Sequence, residues 1–127
     1  MILVDTSVWI AAFRGQDPES EKLKGLLDSD SVALAAPVRI EILSGARTND
    51  LARLKRTLSA LPRFTPSPTC WERIEVWVEE ATRAGQRFAL GDLIIASVAA
   101  EFDLPLWSLD ADFKRMEVLG FVQLHTP

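Results

Sequence analysis

Carboxylates are the side chains of this 127-residue sequence whose placement suggests chemistry. Asp5 directly follows the apolar run Ile2-Leu3-Val4. Glu41 lies one turn into a helical stretch that Pro37 opens, and Asp92 stands at the head of the apolar segment Leu93 to Glu101. Asp110 directly follows the run Leu104 to Leu109, with Asp112 two residues on. Taken singly, each has a bland reading as a helix cap, a solvated helix residue or a turn residue. Taken together they repel, and burying them uncompensated costs on the order of several kcal/mol. A fold tolerates such a cluster when cations sit in it. The chain has one Cys and one His, Cys70 and His125, so a Cys/His zinc site cannot be built. Oxygen ligands alone select a hard ion, Mg²⁺ or Mn²⁺. Ions held by carboxylates can activate water and clamp a phosphodiester for in-line attack.

Alternating elements must bring these acids together. Ile2–Val4 reads as a buried strand, and Asp5, Thr6 and Ser7 are good caps for a helix running to about Arg14. Asp17-Pro18 reads as cap and first residue of a second helix over 18–28. A second strand is expected over Ser31–Ala36 and a helix from Pro37 to Gly45. Leu51, Leu54, Leu58 and Leu61 mark a fourth helix, followed by a short extended piece around Phe64 between prolines. Trp71, Ile74, Trp77, Val78 and Ala81 mark a fifth, and Leu93 to Glu101 a sixth that is apolar nearly all round. Leu104–Leu109 should be a third strand, Ala111–Arg115 a short helix and Gly120–Leu124 a last strand. This order predicts one α/β domain over 1–127, a three-layer sandwich whose mostly parallel central sheet is flanked by helices. In an open parallel sheet, residues just past the carboxyl ends of strands meet in one crevice.

Several function classes drop out. His125 is too close to the end of the chain for a Ser-His-Asp or Cys-His centre to be expected. No Gly-rich phosphate loop or EF-hand loop occurs. Asp5-Thr6-Ser7 lacks the paired acids of a haloacid-dehalogenase-type phosphatase, and the acidic pair and late Lys of a receiver domain are missing. Met1-Ile2-Leu3-Val4 meets Asp5 with no basic run before it, which predicts no signal peptide, no membrane association and a cytoplasmic location. The formal charge of −4 argues against a general nucleic-acid coat protein, yet without the five acids the rest of the chain stands at +1. Arg14, Arg39, Arg47, Arg87 and Lys114 are expected near the crevice, mainly as solvated charges.

The sequence resembles the PIN-domain ribonucleases, and among them the VapC toxins of toxin–antitoxin pairs. The resemblance rests on Ile2 to Ile10, on Glu41-Ile42-Leu43-Ser44-Gly45, on Asp92-Leu93-Ile94-Ile95-Ala96, and on Ser108-Leu109-Asp110-Ala111-Asp112-Phe113. These four segments come in the family's order and spacing over essentially the whole chain. Ser108 stands where the family usually has Thr, and keeps the hydroxyl. The resemblance implies a Mg²⁺- or Mn²⁺-dependent endoribonuclease that cuts RNA as a toxin. It implies Asp5 and Asp92 as metal ligands, with Glu41, Asp110 and Asp112 completing the catalytic set and Thr6 or Ser7 orienting Asp5 or a phosphate. It further implies a cognate VapB-like antitoxin and a homodimer. The apolar run Val8 to Phe13, too apolar to pack wholly inward, gives that expectation some independent support. The competing readings are an RNA-processing PIN nuclease outside a toxin–antitoxin pair and a catalytically silent PIN binding module.

Overall fold

A computed structural model describes residues 1–127. Its elements are β1 (Ile2–Val4), α1 (Thr6–Phe13), α2 (Glu19–Asp28), β2 (Val32–Ala35), α3 (Ala36–Ser44) and α4 (Thr48–Ser59). They continue as β3 (Arg63–Phe64), α5 (Cys70–Arg83), α6 (Leu90–Glu101), β4 (Leu106–Trp107) and α7 (Ala111–Val118). The strands form one sheet in the order β3-β2-β1-β4, and every pairing is parallel. Helices cover each return from one strand to the next, as parallel pairing requires.

The chain lays β2 and β3 to one side of β1, then crosses back to lay β4 on the other. The strand order therefore reverses at β1, and the crevice of such a sheet opens beyond the carboxyl ends at that point. Val4 lies opposite Trp107 in register, and the Asp5 N–H donates to Trp107 O at 2.9 Å. The residues that leave β1 and β4 are thus neighbours across the sheet edge. The α6 helix runs back toward the start of β4 and ends four residues before it, so its N-terminus lies at the carboxyl edge.

The core is built from the interior of the sheet and the helix faces laid on it. Leu3, Val4, Ala33, Leu34, Ala35 and Leu106 are fully buried, with Val8, Val38, Ile95, Val98, Phe113 and Met116 packed around them. Trp77 stacks on Phe121 with ring centroids 4.6 Å apart, which pins the C-terminal segment to α5.

Some boundaries differ from the sequence expectation. The strand expected over Leu104–Leu109 is reduced to Leu106–Trp107, and the one expected over Gly120–Leu124 to a single parallel bridge from Leu124 to Leu106. Apolar character was therefore a guide to burial at these places and not to pairing. The second helix begins at Glu19 with Pro18 at its cap, and Asp17 gives no cap hydrogen bond. The sixth helix begins at Leu90, most of a turn early: its fully buried face starts only at Leu93, and the added turn carries an exposed Leu90, Gly91 and the half-buried Asp92. Around Glu41 the helix α3 is less apolar-faced than its sequence suggests. Ile40 is 61% exposed, while Arg39 is buried and donates to Ser59 Oγ at 3.2 Å.

Candidate metal and nuclease centre

Asp5 is the inner wall of the site. It caps α1 and is 5% exposed. Its Oδ2 accepts from Ser7 Oγ at 2.7 Å, from Ser108 Oγ at 2.8 Å and weakly from Ser7 N at 3.4 Å. Each serine has one hydroxyl proton and gives it to Asp5, so the 3.3 Å approach of the two hydroxyls is a contact without a proton of its own. Their lone pairs are used as well. Leu109 N donates to Ser7 Oγ and Asp110 N to Ser108 Oγ, both at 3.0 Å. Two hydroxyls thus lock the turn after β4 onto the turn after β1. No hydrogen bond reaches Asp5 Oδ1, which leaves that oxygen for a ligand.

Asp110 caps α7, accepting from Asp112 N at 2.9 Å. Asp92 lies in the first turn of α6. One carboxylate oxygen from each of Asp92, Asp110 and Asp112 falls within 4.8 Å of the others, across two elements far apart in sequence. Asp5 and Glu41 lie outside that inner group, but both act on Asp92 through their charge. All five sequence-selected acids therefore share one field, with three of them in mutual reach of a single ion.

That field shows in the proton affinities. Asp92 is pushed up to about 6, first by burial and then by the charges of Asp110, Asp5, Asp112 and Glu41. Glu41 is also raised, by burial and then by Asp5, while Thr6 works in the opposite direction. Thr6 Oγ1 is itself buried with no hydrogen-bond partner of good geometry. Five carboxylates in one field, two of them raised in proton affinity, and a donor set made only of oxygens fit a hard divalent cation.

One member of the site had not been singled out from the sequence. Arg115, one turn beyond Asp112 on α7, donates to Asp112 Oδ1 at 2.6 Å. The same guanidinium bonds Gln86 Oε1 and sits 4.6 Å over the Phe88 ring. It ties the loop between α5 and α6 to the acidic group and supplies the one cation paired with it. The spacing Asp112-x-x-Arg115 on a short helix was the available signal. Of the basic residues expected as solvated, Arg39 is buried away from any acid, whereas Arg14 and Arg47 are exposed and unpaired.

Comparison with known proteins gives a consistent result. The family model described as "PIN domain" matches residues 2–119. Ribonuclease VapC11 of Mycobacterium tuberculosis is 31% identical over 89% of this chain and 89% of its own. The VapBC2 structure from Rickettsia felis, bound to a DNA fragment from its promoter, superposes with a TM-score of 0.77 at 23% identity, covering 98% of both chains. A toxin–antitoxin complex from Klebsiella pneumoniae gives 0.73 at 22% identity, covering 87% of this chain and 88% of that one. At these identities the two solved structures speak for the fold. No helix here is long and apolar enough to cross a membrane.

Proposed function

The chain belongs to the PIN-domain family, among the VapC-type ribonucleases, and on that premise we propose that it is the toxin of a toxin–antitoxin pair: an endoribonuclease that hydrolyses RNA phosphodiester bonds with Mg²⁺ or Mn²⁺. The observation that carries the reading is the convergence of Asp92, Asp110 and Asp112 within 4.8 Å at the sheet's switch point, in a chain matched by the family model over residues 2–119. Asp92, Asp110 and Asp112 would hold the ion, and the unbonded Oδ1 of Asp5, beside that group, would be a further ligand with Asp92. Such a cation, when bound, supplies the positive charge that offsets the carboxylates and the charge building on phosphate. Glu41, whose carboxyl is raised by burial and by the charge of Asp5, stands beside the ligand group and would be available to bond the attacking water. Ser7 and Ser108 keep Asp5 and Asp110 at a fixed spacing while this happens.

The reading includes one PIN unit over 1–127, a cytoplasmic location, a homodimer and a VapB-like antitoxin as partner. The partner is supported by the VapBC and toxin–antitoxin complexes that share this fold. Purified protein should cleave RNA with Mg²⁺ or Mn²⁺ and stop in EDTA. Asp5→Asn and Asp92→Asn should abolish cleavage with the fold intact. If either variant cuts at the parent's rate, the assignment of the centre is wrong. Expression should arrest growth unless the antitoxin is co-expressed, and normal growth with folded, unpartnered protein would count against a toxin.

A further inference from the structure

Arg115 is the cation paired with the acidic group, and the pair is unlike the other two of the chain. Arg53–Asp50 and Arg83–Glu79 lie at 3.3 and 4.0 Å with the arginines 75% exposed, the kind of surface pair that water and salt largely cancel. Arg115 Nη2 donates to Asp112 Oδ1 at 2.6 Å from a side chain that is 39% exposed. Nη1 donates to Gln86 Oε1, and the guanidinium lies 4.6 Å over the Phe88 ring. Both of those partners are themselves fixed. Gly85, at φ +72°, closes the end of α5: its N–H donates to Thr82 O at 3.1 Å and that of Gln86 to Ala81 O at 2.8 Å. Phe88 sits edge-on to Phe121, which stacks on Trp77. A lone i,i+3 pair on an eight-residue helix would swing, but this guanidinium is gripped on three sides by two segments of the chain.

We propose that Arg115 is a positioning residue of the centre: anchored by Gln86 and Phe88, it holds Asp112 by Oδ1 and so prevents that acid from closing on the cation through both oxygens. This rests on the metal-nuclease reading above. The need for such a restraint follows from the crowding. Oxygens of Asp92, Asp110 and Asp112 lie within 4.8 Å of one another, and three carboxylates gripping one ion through both oxygens would fill an octahedral shell. An ion so enclosed is structural, whereas a catalytic ion keeps a position open for the groups that react. Asp110 is already restrained through its Oδ1, which accepts from Asp112 N. The Asp112 carboxylate accepts only from Arg115, so nothing else limits it to one oxygen. With Arg115 in place, an ion on Oδ1 would stand against a positive charge. The planar fork cannot turn that charge away without breaking its bond to Gln86.

The test uses the full chain with Mn²⁺ as the probe. Titration calorimetry gives Kd, water-proton relaxation of the Mn²⁺-loaded protein counts the places on the ion open to solvent, and cleavage of a labelled RNA gives kcat. Arg115→Gln should bind Mn²⁺ about tenfold more tightly, lose about one open place and lose about 10–100-fold in kcat. Arg115→Lys keeps a charge against Asp112 without the fork and should fall between the parent and Arg115→Gln on all three. Gln86→Ala, which frees the guanidinium without removing its charge, should shift all three the same way by less. Circular dichroism in EDTA checks that each variant is folded. A general loosening of the site would weaken Mn²⁺ binding and open the ion to more water. Weaker binding or unchanged relaxation in Arg115→Gln therefore overturns the proposal, as does a Gln86→Ala protein that matches the parent. If Kd and relaxation shift as expected but the parent cuts no RNA, the restraint stands and the nuclease reading falls. If the parent cuts RNA with Mn²⁺ and the variants match it, the restraint alone falls.

Discussion

Replacing Asp92 by Asn should make the metal-free protein more stable. The folded-state carboxyl of Asp92 ionises near 6, against an ordinary value of 3.8, because burial and four neighbouring acids oppose its charge. Below about pH 3 the group is protonated in both folded and unfolded chains and costs nothing. As pH rises from there toward about 6, the unfolded chain releases its proton while the folded one retains it, and stability falls. Above that range the whole penalty is in place. At 1.36 kcal/mol per unit the rise corresponds to about 3 kcal/mol. Asp92 remains partly open to water, so screening reduces this to about 1–2 kcal/mol. Asn cannot ionise and escapes the penalty. For a chain of 127 residues, that is a gain of about 3–8 °C in Tm. Thermal unfolding followed by circular dichroism in EDTA, at about pH 7.5 and again at about pH 5, reads both magnitude and sign. The variant should lead by the full amount at the higher pH and by roughly half at the lower. A variant that melts with or below the parent at pH 7.5, or a lead that grows on acidification, would refute the claim that the acids repel one another in the folded protein.

Three further outcomes follow from the same geometry. Saturating Mg²⁺ or Mn²⁺ should raise the Tm of the parent, by about 2.7 kcal/mol of stability at a hundredfold excess over Kd, and should flatten its pH dependence above pH 4; scanning calorimetry with and without EDTA checks it. Ser108→Ala removes a proton donor to the buried Asp5 and should cost about 1.5–3 kcal/mol in denaturant unfolding along with most of the cleavage rate, whereas Ser108→Thr should restore both. Arg115→Gln removes the cation paired with Asp112, so titration calorimetry should show tighter divalent-ion binding and unfolding should show a less stable metal-free protein; weaker binding would mean that Arg115 positions Asp112 as a ligand instead of competing for it.

Periodicity and caps made the element order legible because the buried residues of this chain are apolar in sequence blocks. The five acids were legible for a topological reason: in a parallel sheet the residue after a strand end has few places to go, and Asp5 and Asp110 are such residues. Ser108 was legible only through the family's motif, since nothing in its neighbours announces a bond to a residue 103 positions away. What the sequence hid was side-chain geometry. Arg39 and Ile40 exchange the environments their polarity suggests, because α3 turns the arginine toward Ser59 and the isoleucine toward solvent. Arg115 reads as a surface charge until α7, Gln86 and Phe88 are seen together.

The sheet itself holds the site weakly. Its strands are two to four residues long, and β1 and β4 share the register of only two residue pairs. Such short ladders resist separation poorly, yet the acids on either side of this one repel. The opposing force is supplied at the site by Ser7 and Ser108: two hydrogen bonds, Ser108 Oγ to Asp5 at 2.8 Å and Leu109 N to Ser7 Oγ at 3.0 Å, cross the seam beyond the last backbone pairing, and two local ones, Ser7 Oγ to Asp5 and Asp110 N to Ser108 Oγ, hold the serines in place for them. The core is anchored elsewhere, in α5, α6 and the layers around Leu34, Ile95 and Phe113. Local opening at the β1–β4 edge therefore costs less than global unfolding, and a bound cation that attracts both edges raises that local cost first. Hydrogen exchange should show it: adding the ion should protect the amides of Asp5, Leu109 and Asp110 by a larger factor than those of α5. Uniform protection across the chain would mean that the centre is as rigid as the core before the ion arrives.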